Sequence, residues 1–177
     1  MKANKKISTK TLAIMSLFIA LSFSGSYLRV FGTIAFDSLF GFLAALLFGP
    51  VHGAAVGFLG HMFTALNSGF ALSFPLHIAI AISMAITMYI YGLTYKLTIK
   101  RFSQTTTFII TSIVGILLNA PVSLALSMGV LWAIAGIQAA LGLLALMPAI
   151  TLASAANIVI SITLFKSLEG AWNKIIF

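Results

Sequence analysis

Residues 44–70 read AALLFGPVHGAAVGFLGHMFTALNSGF. Two apolar segments, about 38–49 and 53–66, meet here at Gly49-Pro50-Val51-His52-Gly53. Proline stops a helix and glycine permits the turn that follows. Each segment is roughly 20 Å long as a helix. That is short of the ~30 Å hydrocarbon core of a bilayer. The pair therefore reads as two short, tilted or shielded spans, with a re-entrant hairpin as the alternative. One continuous helix over 38–66 is disfavoured, because Gly49-Pro50 would fall near its centre.

Outward from this stretch the composition points to a membrane. Hydrophobic residues make up 61% of the 177 and charged residues 7%. Soluble domains carry about 25% charge, so a soluble globule and a disordered chain are both excluded. The length fits one unit, 1–177. Ten basic residues face two acidic ones. No basic helix or ribbon is long enough to follow a phosphate backbone, so nucleic acid is not an expected partner. There is no cysteine, which excludes disulfides and thiolate metal sites.

The expected fold class is an all-α polytopic membrane protein with six transmembrane helices. The spans are placed at about 11–31, 38–49, 53–66, 76–97, 106–129 and 148–168. The first follows MKANKKISTK and is read as a retained span, since no small-x-small cleavage site closes it. Residues 32–38, GTIAFDS, alternate as a strand does. The stretch 130–147 is either a partial seventh helix or an interfacial loop. Trp172 and Lys174 suit a membrane interface. In this arrangement Lys2, Lys5, Lys6, Lys10, Lys96, Lys100, Arg101, Lys166 and Lys174 share one side, and only Arg29 lies on the other. The positive-inside rule then puts both termini in the cytoplasm.

Ionisable and polar groups inside a membrane are costly and mark functional sites. Arg29, Asp37, Asn67, Ser68 and Ser73 fall near the outer face, with His61, Thr64 and His77 within about two turns of it. Asn119 and Asn157 lie deeper. Short outer loops that gather the rare polar groups have the composition of a small-molecule pocket. Asp37 accepts from a ligand, pairs with Arg29 or caps helix 38–49. His61 contacts a ligand or bonds a carbonyl in the core. His77 contacts a ligand or caps the helix that Pro75 opens. His52, in the inner turn, reads as structural. Asn119 and Asn157 contact a ligand or bond helix to helix. Phe70 and Phe74 flank the 67–75 loop, where they stack on an aromatic ligand or pack locally.

Ser16, Ala20 and Ser24 recur every four residues in the first span, with Ala13 offset by three. This places small residues on one face, for packing inside the chain or for docking a partner subunit.

Enzyme motifs are scarce. There is no GxxxxGK[ST] and no HExxH, and the three histidines have no carboxylate at metal-ligand spacing. Neither a metal nor a cofactor is expected. A stand-alone small-molecule transporter or channel, and a membrane-embedded hydrolase, are the alternatives to a binding subunit.

The basic N-terminus, the small-residue stripe, GTIAFDS, the 44–70 stretch and Phe74-Pro75-Leu76-His77 occur in an order that resembles the substrate-binding (S) components of energy-coupling-factor (ECF) transporters, the vitamin importers of prokaryotes. The resemblance is best over 10–95. It implies six helices, both termini inside, and a pocket near the outer face closed by the first and third outer loops. It implies these partners besides the lipid bilayer: a vitamin-like small molecule, a transmembrane coupling subunit (EcfT-like) and two cytoplasmic ATPases. Helix one of that family usually carries AxxxA against the coupling subunit; the matching stripe here, Ser16-xxx-Ala20-xxx-Ser24, is a serine variant. The chain itself would hydrolyse nothing, in a prokaryotic cell membrane. The stretch from Asp37-Ser38 through Gly60-His61 to Asn67-Ser68-Gly69-Phe70 looks most like S components for α-ribazole, a neutral benzimidazole riboside and cobalamin precursor. Its implied ligand contacts are Arg29, Asp37, His61, Thr64, Asn67, Phe70, Phe74, His77, Asn119 and Asn157.

Overall fold

The computed structural model describes residues 9–27, 36–71 and 73–176, with side chains through Gly170. It is all-helical, and no strand occurs among the described residues. The helices are α1 (Thr9–Gly25), α2 (Ser38–Leu47), α3 (Pro50–Asn67), α4 (Phe74–Thr98), α5 (Gln104–Leu117), α6 (Ser123–Ala135), α7 (Ile137–Gly142) and α8 (Met147–Ile176). A π-turn at Leu118–Val122 joins α5 to α6, and a 3-10 turn at Leu143–Leu146 joins α7 to α8. These junctions leave six helical rods.

The break within 38–67 comes from backbone conformation. Gly49 takes φ +95°, which only glycine adopts without strain, and Pro50 opens α3 in its first turn. The chain then folds back so that α3 packs along α2. Three glycines on one side of α3 make this approach, and those to α4 and α1, close. A Cβ at Gly53 would lie 2.5 Å from Ala45 Cβ and 2.8 Å from its Cα. One at Gly57 would meet Met88 of α4, and one at Gly60 would meet Ser22 of α1, both at 2.8 Å. The spacing of four and three keeps all three on one helical flank.

Helix α2 is the centre of the bundle. It touches α1, α3, α4 and α8, and eight of its ten residues are buried. Ten residues span only about 15 Å, and an all-round apolar sequence suits this enclosed position. Phe42 packs edge-on against Tyr91 of α4 at 4.8 Å, and Phe48 against Phe18 of α1 at 6.0 Å. Tyr95, Phe108 and Phe165 tie α4, α5 and α8 together. A second core joins Leu76, Leu124, Leu131 and Leu143 at the start of α4.

Several element bounds differ from the sequence expectation. Helix α1 ends at Gly25, short of residue 31, where the chain returns against it: a Cβ on Gly25 would lie 2.9 Å from the Phe36 carbonyl oxygen. Most of GTIAFDS lies outside the described residues, and Phe36 and Asp37 form a turn. The helix expected to end near 129 runs on to Ala135. Pro121, which lacks an N–H, is absorbed by the π-turn. The chain breaks at Gly136, φ +85°, and residues 137–146 are helical rather than an interfacial loop.

Three helical stretches are long and apolar enough to cross a membrane: Phe74–Thr98, Gln104–Ala135 and Ile137–Gly170. Their outward faces expose Ile109, Ile113, Leu117, Leu126, Leu152 and Val159. Unpartnered apolar ridges of this kind are what hydrocarbon solvates. The protein is a membrane protein by composition and by these surfaces.

Candidate functional site

The start of α2, the last turns of α3 and the start of α4 meet at one end of the bundle. Each brings one ionisable side chain. Asp37 precedes α2 in its N-cap position, yet its carboxylate makes no capping bond. It turns instead to His61 of α3, whose Nδ1 lies 3.2 Å from Asp37 Oδ2. The other nitrogen, His61 Nε2, lies 3.3 Å from Nδ1 of His77 on α4. The two rings are 5.4 Å apart. All three residues are at least nine-tenths buried. His77 Nε2, at the end of this row, is buried and has no hydrogen-bond partner.

Local sequence explains the convergence. Gly60 lets α3 lie against Ser22, which brings the neighbouring His61 to the bundle axis. Ser73 Oγ accepts from Leu76 N at 3.4 Å and starts α4, so His77 faces inward and is not needed as a cap. Phe70 packs edge-on to His77 at 5.8 Å and to Phe74 at 5.1 Å. Phe70 has φ +52° and Ser73 φ +121°. A left-handed non-glycine residue costs about 1–2 kcal/mol. Such strain is characteristic of functional loops.

The remaining polar residues form separate joints. Asn157 Nδ2 on α8 donates to Ser38 Oγ at 2.8 Å, beside Asp37. Asn119 Nδ2, in the π-turn, donates to Ser154 Oγ on α8 at 2.7 Å. Asn67 Nδ2 donates to Ser26 Oγ at 3.1 Å, closing α3 onto the end of α1. Thr64 Oγ1 donates to its own helix, to Gly60 O. Asp37, His61, His77 and Phe70 are thus brought together with Phe74 at the rim. Thr64 and Asn67 continue up α3, and Asn119 sits apart. Arg29 lies outside the described residues. Ser22, Ser26, Ser38 and Ser154 were not foreseen as partners. Ser154 had one signal: it stands three residues before Asn157, on the same helical face.

The carboxylate and His77 occupy opposite nitrogens of the His61 ring, so the three groups do not converge on one point. No group of three His, Cys, Asp or Glu among the described residues forms a metal-binding cluster. A groove of about 320 Å³, lined by Thr105, Phe108, Ile113 and Lys166 among others, opens on the α5–α8 flank and shares no residue with this site.

The opposite end of the bundle holds the cations whose side chains are described: Lys10 lies in the first turn of α1, Lys96 in the last turn of α4, Lys100 and Arg101 form the next turn, and Lys166 lies near Phe108 of α5. His52 Nδ1 donates there to Phe48 O at 2.9 Å.

On α1, Phe18 and Ser22 are buried, while Ala13, Ser16, Ala20 and Ser24 are exposed. Ser16 and Ser24 turn their hydroxyls onto their own helix, to Leu12 O and Ala20 O. The stripe presents a shallow surface whose hydroxyls are already satisfied, and no other part of the described chain covers it.

Residues 10–173 match the family model described as the ECF transporter, substrate-specific component. No curated protein and no solved structure matches the chain. Members of this family are substrate-binding transporter subunits rather than enzymes, and they work in the membrane with a coupling subunit (EcfT) and ATPase subunits. With that match running over nearly its whole length, the chain belongs to the ECF transporter substrate-specific component family.

Proposed function

We propose that this chain captures a vitamin or vitamin precursor from outside a prokaryotic cell, with the Asp37–His61–His77 row and Phe70 at the centre of its pocket. The observation that carries the reading is the row itself: three buried ionisable groups drawn from three helices, ending in an unpartnered nitrogen. Such a group is costly unless something pairs with it. Thr64, Asn67, Phe74, Asn119, Asn157 and Arg29 complete the proposed contacts. The six rods are read as six spans of one multi-pass domain. Clustered cations at the end opposite the row support cytoplasmic termini and an outward-facing pocket.

α-Ribazole is the first substrate candidate. Asp37 and Asn157 suit its ribose hydroxyls, and Phe70 suits stacking on its benzimidazole. Native mass spectrometry of the purified chain tests this. A retained adduct at the mass of α-ribazole is the expected result. A bare chain that also fails to bind added α-ribazole rejects that substrate, and a different adduct mass names another.

The loop offers a cleaner separation of binding from folding. Phe70→Gly relieves the left-handed strain but adds chain entropy of about 0.5–1 kcal/mol. The melting temperature should stay nearly unchanged while affinity falls about tenfold, the loss of one aromatic contact. Unchanged affinity would remove Phe70 from the pocket.

The exposed stripe is proposed as the docking face for the coupling subunit. Ala20→Trp should then leave substrate binding intact and abolish uptake in cells that supply the coupling subunit and ATPases. Undiminished uptake would exclude the stripe from docking.

A further inference from the structure

The row of ionisable groups has a polarity, and proton counting fixes it. Its two links are direct contacts, Asp37 Oδ2 to His61 Nδ1 at 3.2 Å and His61 Nε2 to His77 Nδ1 at 3.3 Å. Each link holds one proton. A neutral imidazole carries one N–H and one bare nitrogen. Suppose the three groups together hold three protons, so that their net charge is zero. One proton lies in the Asp37–His61 link, on either atom. The second lies in the His61–His77 link on His61 Nε2, where His61 is either an imidazolium beside a carboxylate or a neutral ring accepting from a carboxylic acid. Placing it on His77 Nδ1 would make His77 a buried imidazolium separated from the carboxylate by a neutral ring, which is costlier than an adjacent pair or a neutral set. His77 Nδ1 accepts that proton's hydrogen bond. The third proton must therefore sit on His77 Nε2. Moving the first proton between Asp37 and His61 does not change this outcome.

Removing one proton reverses the row. His61 Nδ1–H donates to the carboxylate, His61 Nε2 becomes an acceptor, His77 Nδ1–H donates to it, and His77 Nε2 is bare. The net charge is then −1. All three residues are at least nine-tenths buried, and an uncompensated buried charge is far costlier than a neutral or paired set. The other charged groups near the packing elements do not offset it. Among the residues whose side chains are described, α1 contributes Lys10, α4 Lys96 and α8 Lys166 and Glu169, all toward the opposite end, while α2, α3, α5 and α6 carry no Lys or Arg. Arg29 lies outside the described residues.

We propose that the row rests in its neutral, three-proton form, so that His77 Nε2–H is a hydrogen-bond donor held for the substrate, which must offer an acceptor there: a ring nitrogen, a carbonyl or a similar lone pair. This rests on the preceding reading that the row lines the substrate pocket. It adds a specificity rule: a substrate whose contacting group is only a donor meets a donor and is rejected. The buried, unpartnered state of His77 Nε2 is the observation behind it.

The chain has three histidines, so its imidazole ¹⁵N spectrum holds at most three rings. The full chain, ¹⁵N-histidine-labelled in lipid nanodiscs at neutral pH, is assigned through His52→Gln and His77→Gln. The expected result is a neutral His77 with its proton on Nε2 and a bare Nδ1. A proton on Nδ1 with a bare Nε2, or a doubly protonated His77, overturns the inference and leaves the pocket reading standing, because no ligand enters this measurement. Binding of α-ribazole and of its analogue with the free benzimidazole nitrogen replaced by C–H gives the second readout. At least about tenfold weaker binding of the analogue supports the donor at His77. Equal binding of the two overturns it. If neither binds, the substrate choice of the preceding reading fails, and the tautomer alone decides the inference.

Discussion

His61→Ala is expected to lower substrate affinity about 100-fold, with α-ribazole as the probe in calorimetry. His61 is the only link between Asp37 and His77 in the row. Its removal leaves a buried carboxylate without its partner and frees the His77 ring to turn. Hydrogen bonds to charged groups contribute about 1.5–3 kcal/mol, and 100-fold is about 2.7 kcal/mol. The orphaned Asp37 also destabilises the fold, since breaking a buried pair costs about 3–5 kcal/mol. His61→Gln controls for this: its amide keeps a donor toward Asp37 and much of the volume, so the bundle should remain folded while the second link is lost. Asp37→Asn removes the charge at nearly constant shape and should weaken binding about tenfold. Wild-type affinity in all three variants would remove the row from the substrate pocket.

The second large effect is on stability. Gly53→Leu should destabilise the bundle by about 3 kcal/mol, at the upper end of ordinary overpacking. The reason is geometric. A Cβ at Gly53 meets the Cβ, Cα and backbone nitrogen of Ala45 at 2.5, 2.8 and 3.0 Å. Backbone cannot rotate aside as a side-chain tip does, so α2 and α3 must separate. Helix α2 is enclosed by four others, and Asp37 stands at its head, so the displacement reaches the core and the site together. Even Gly53→Ala should lower the melting temperature. Gly129→Ala on α6 is the matched control: nothing lies within 4 Å of its Cβ position, and alanine favours a helix over glycine by about 1 kcal/mol. Thermal unfolding of the two alanine variants in the same detergent should move in opposite directions. A neutral Gly53→Ala would show that the α2–α3 approach is looser than its geometry implies.

The α1 stripe illustrates how sequence and structure divide the work. Spacing of four put Ser16, Ala20 and Ser24 on one face, but it left open whether that face packs inside the chain or outside. The side exposed was decided by Phe18 and Ser22, which pack inward on the opposite flank. The glycines of α3 carried the same kind of signal at positions 53, 57 and 60, and their three different neighbours, α2, α4 and α1, depend on how the helices are arranged.

Composition alone determined that this chain lives in a membrane, because 7% charged residues cannot solvate a globule of this size. The run of Gly49-Pro50 determined a break between two helices, because φ freedom and a missing N–H are properties of single residues. Only the first of them is short, since the second begins at Pro50 itself and runs for 18 residues. The scarcity of polar groups picked out Asp37, His61 and His77 as candidates. Tertiary structure decided that these three, separated by 24 and 16 residues, stand in one row, that Asp37 bonds a histidine rather than capping its helix, and that Asn119 and Asn157 tie to α8 and α2. The physical reason is that helical periodicity fixes which residues share a face, while the partner of that face is set by close packing among all the helices at once, and no local stretch of sequence contains it.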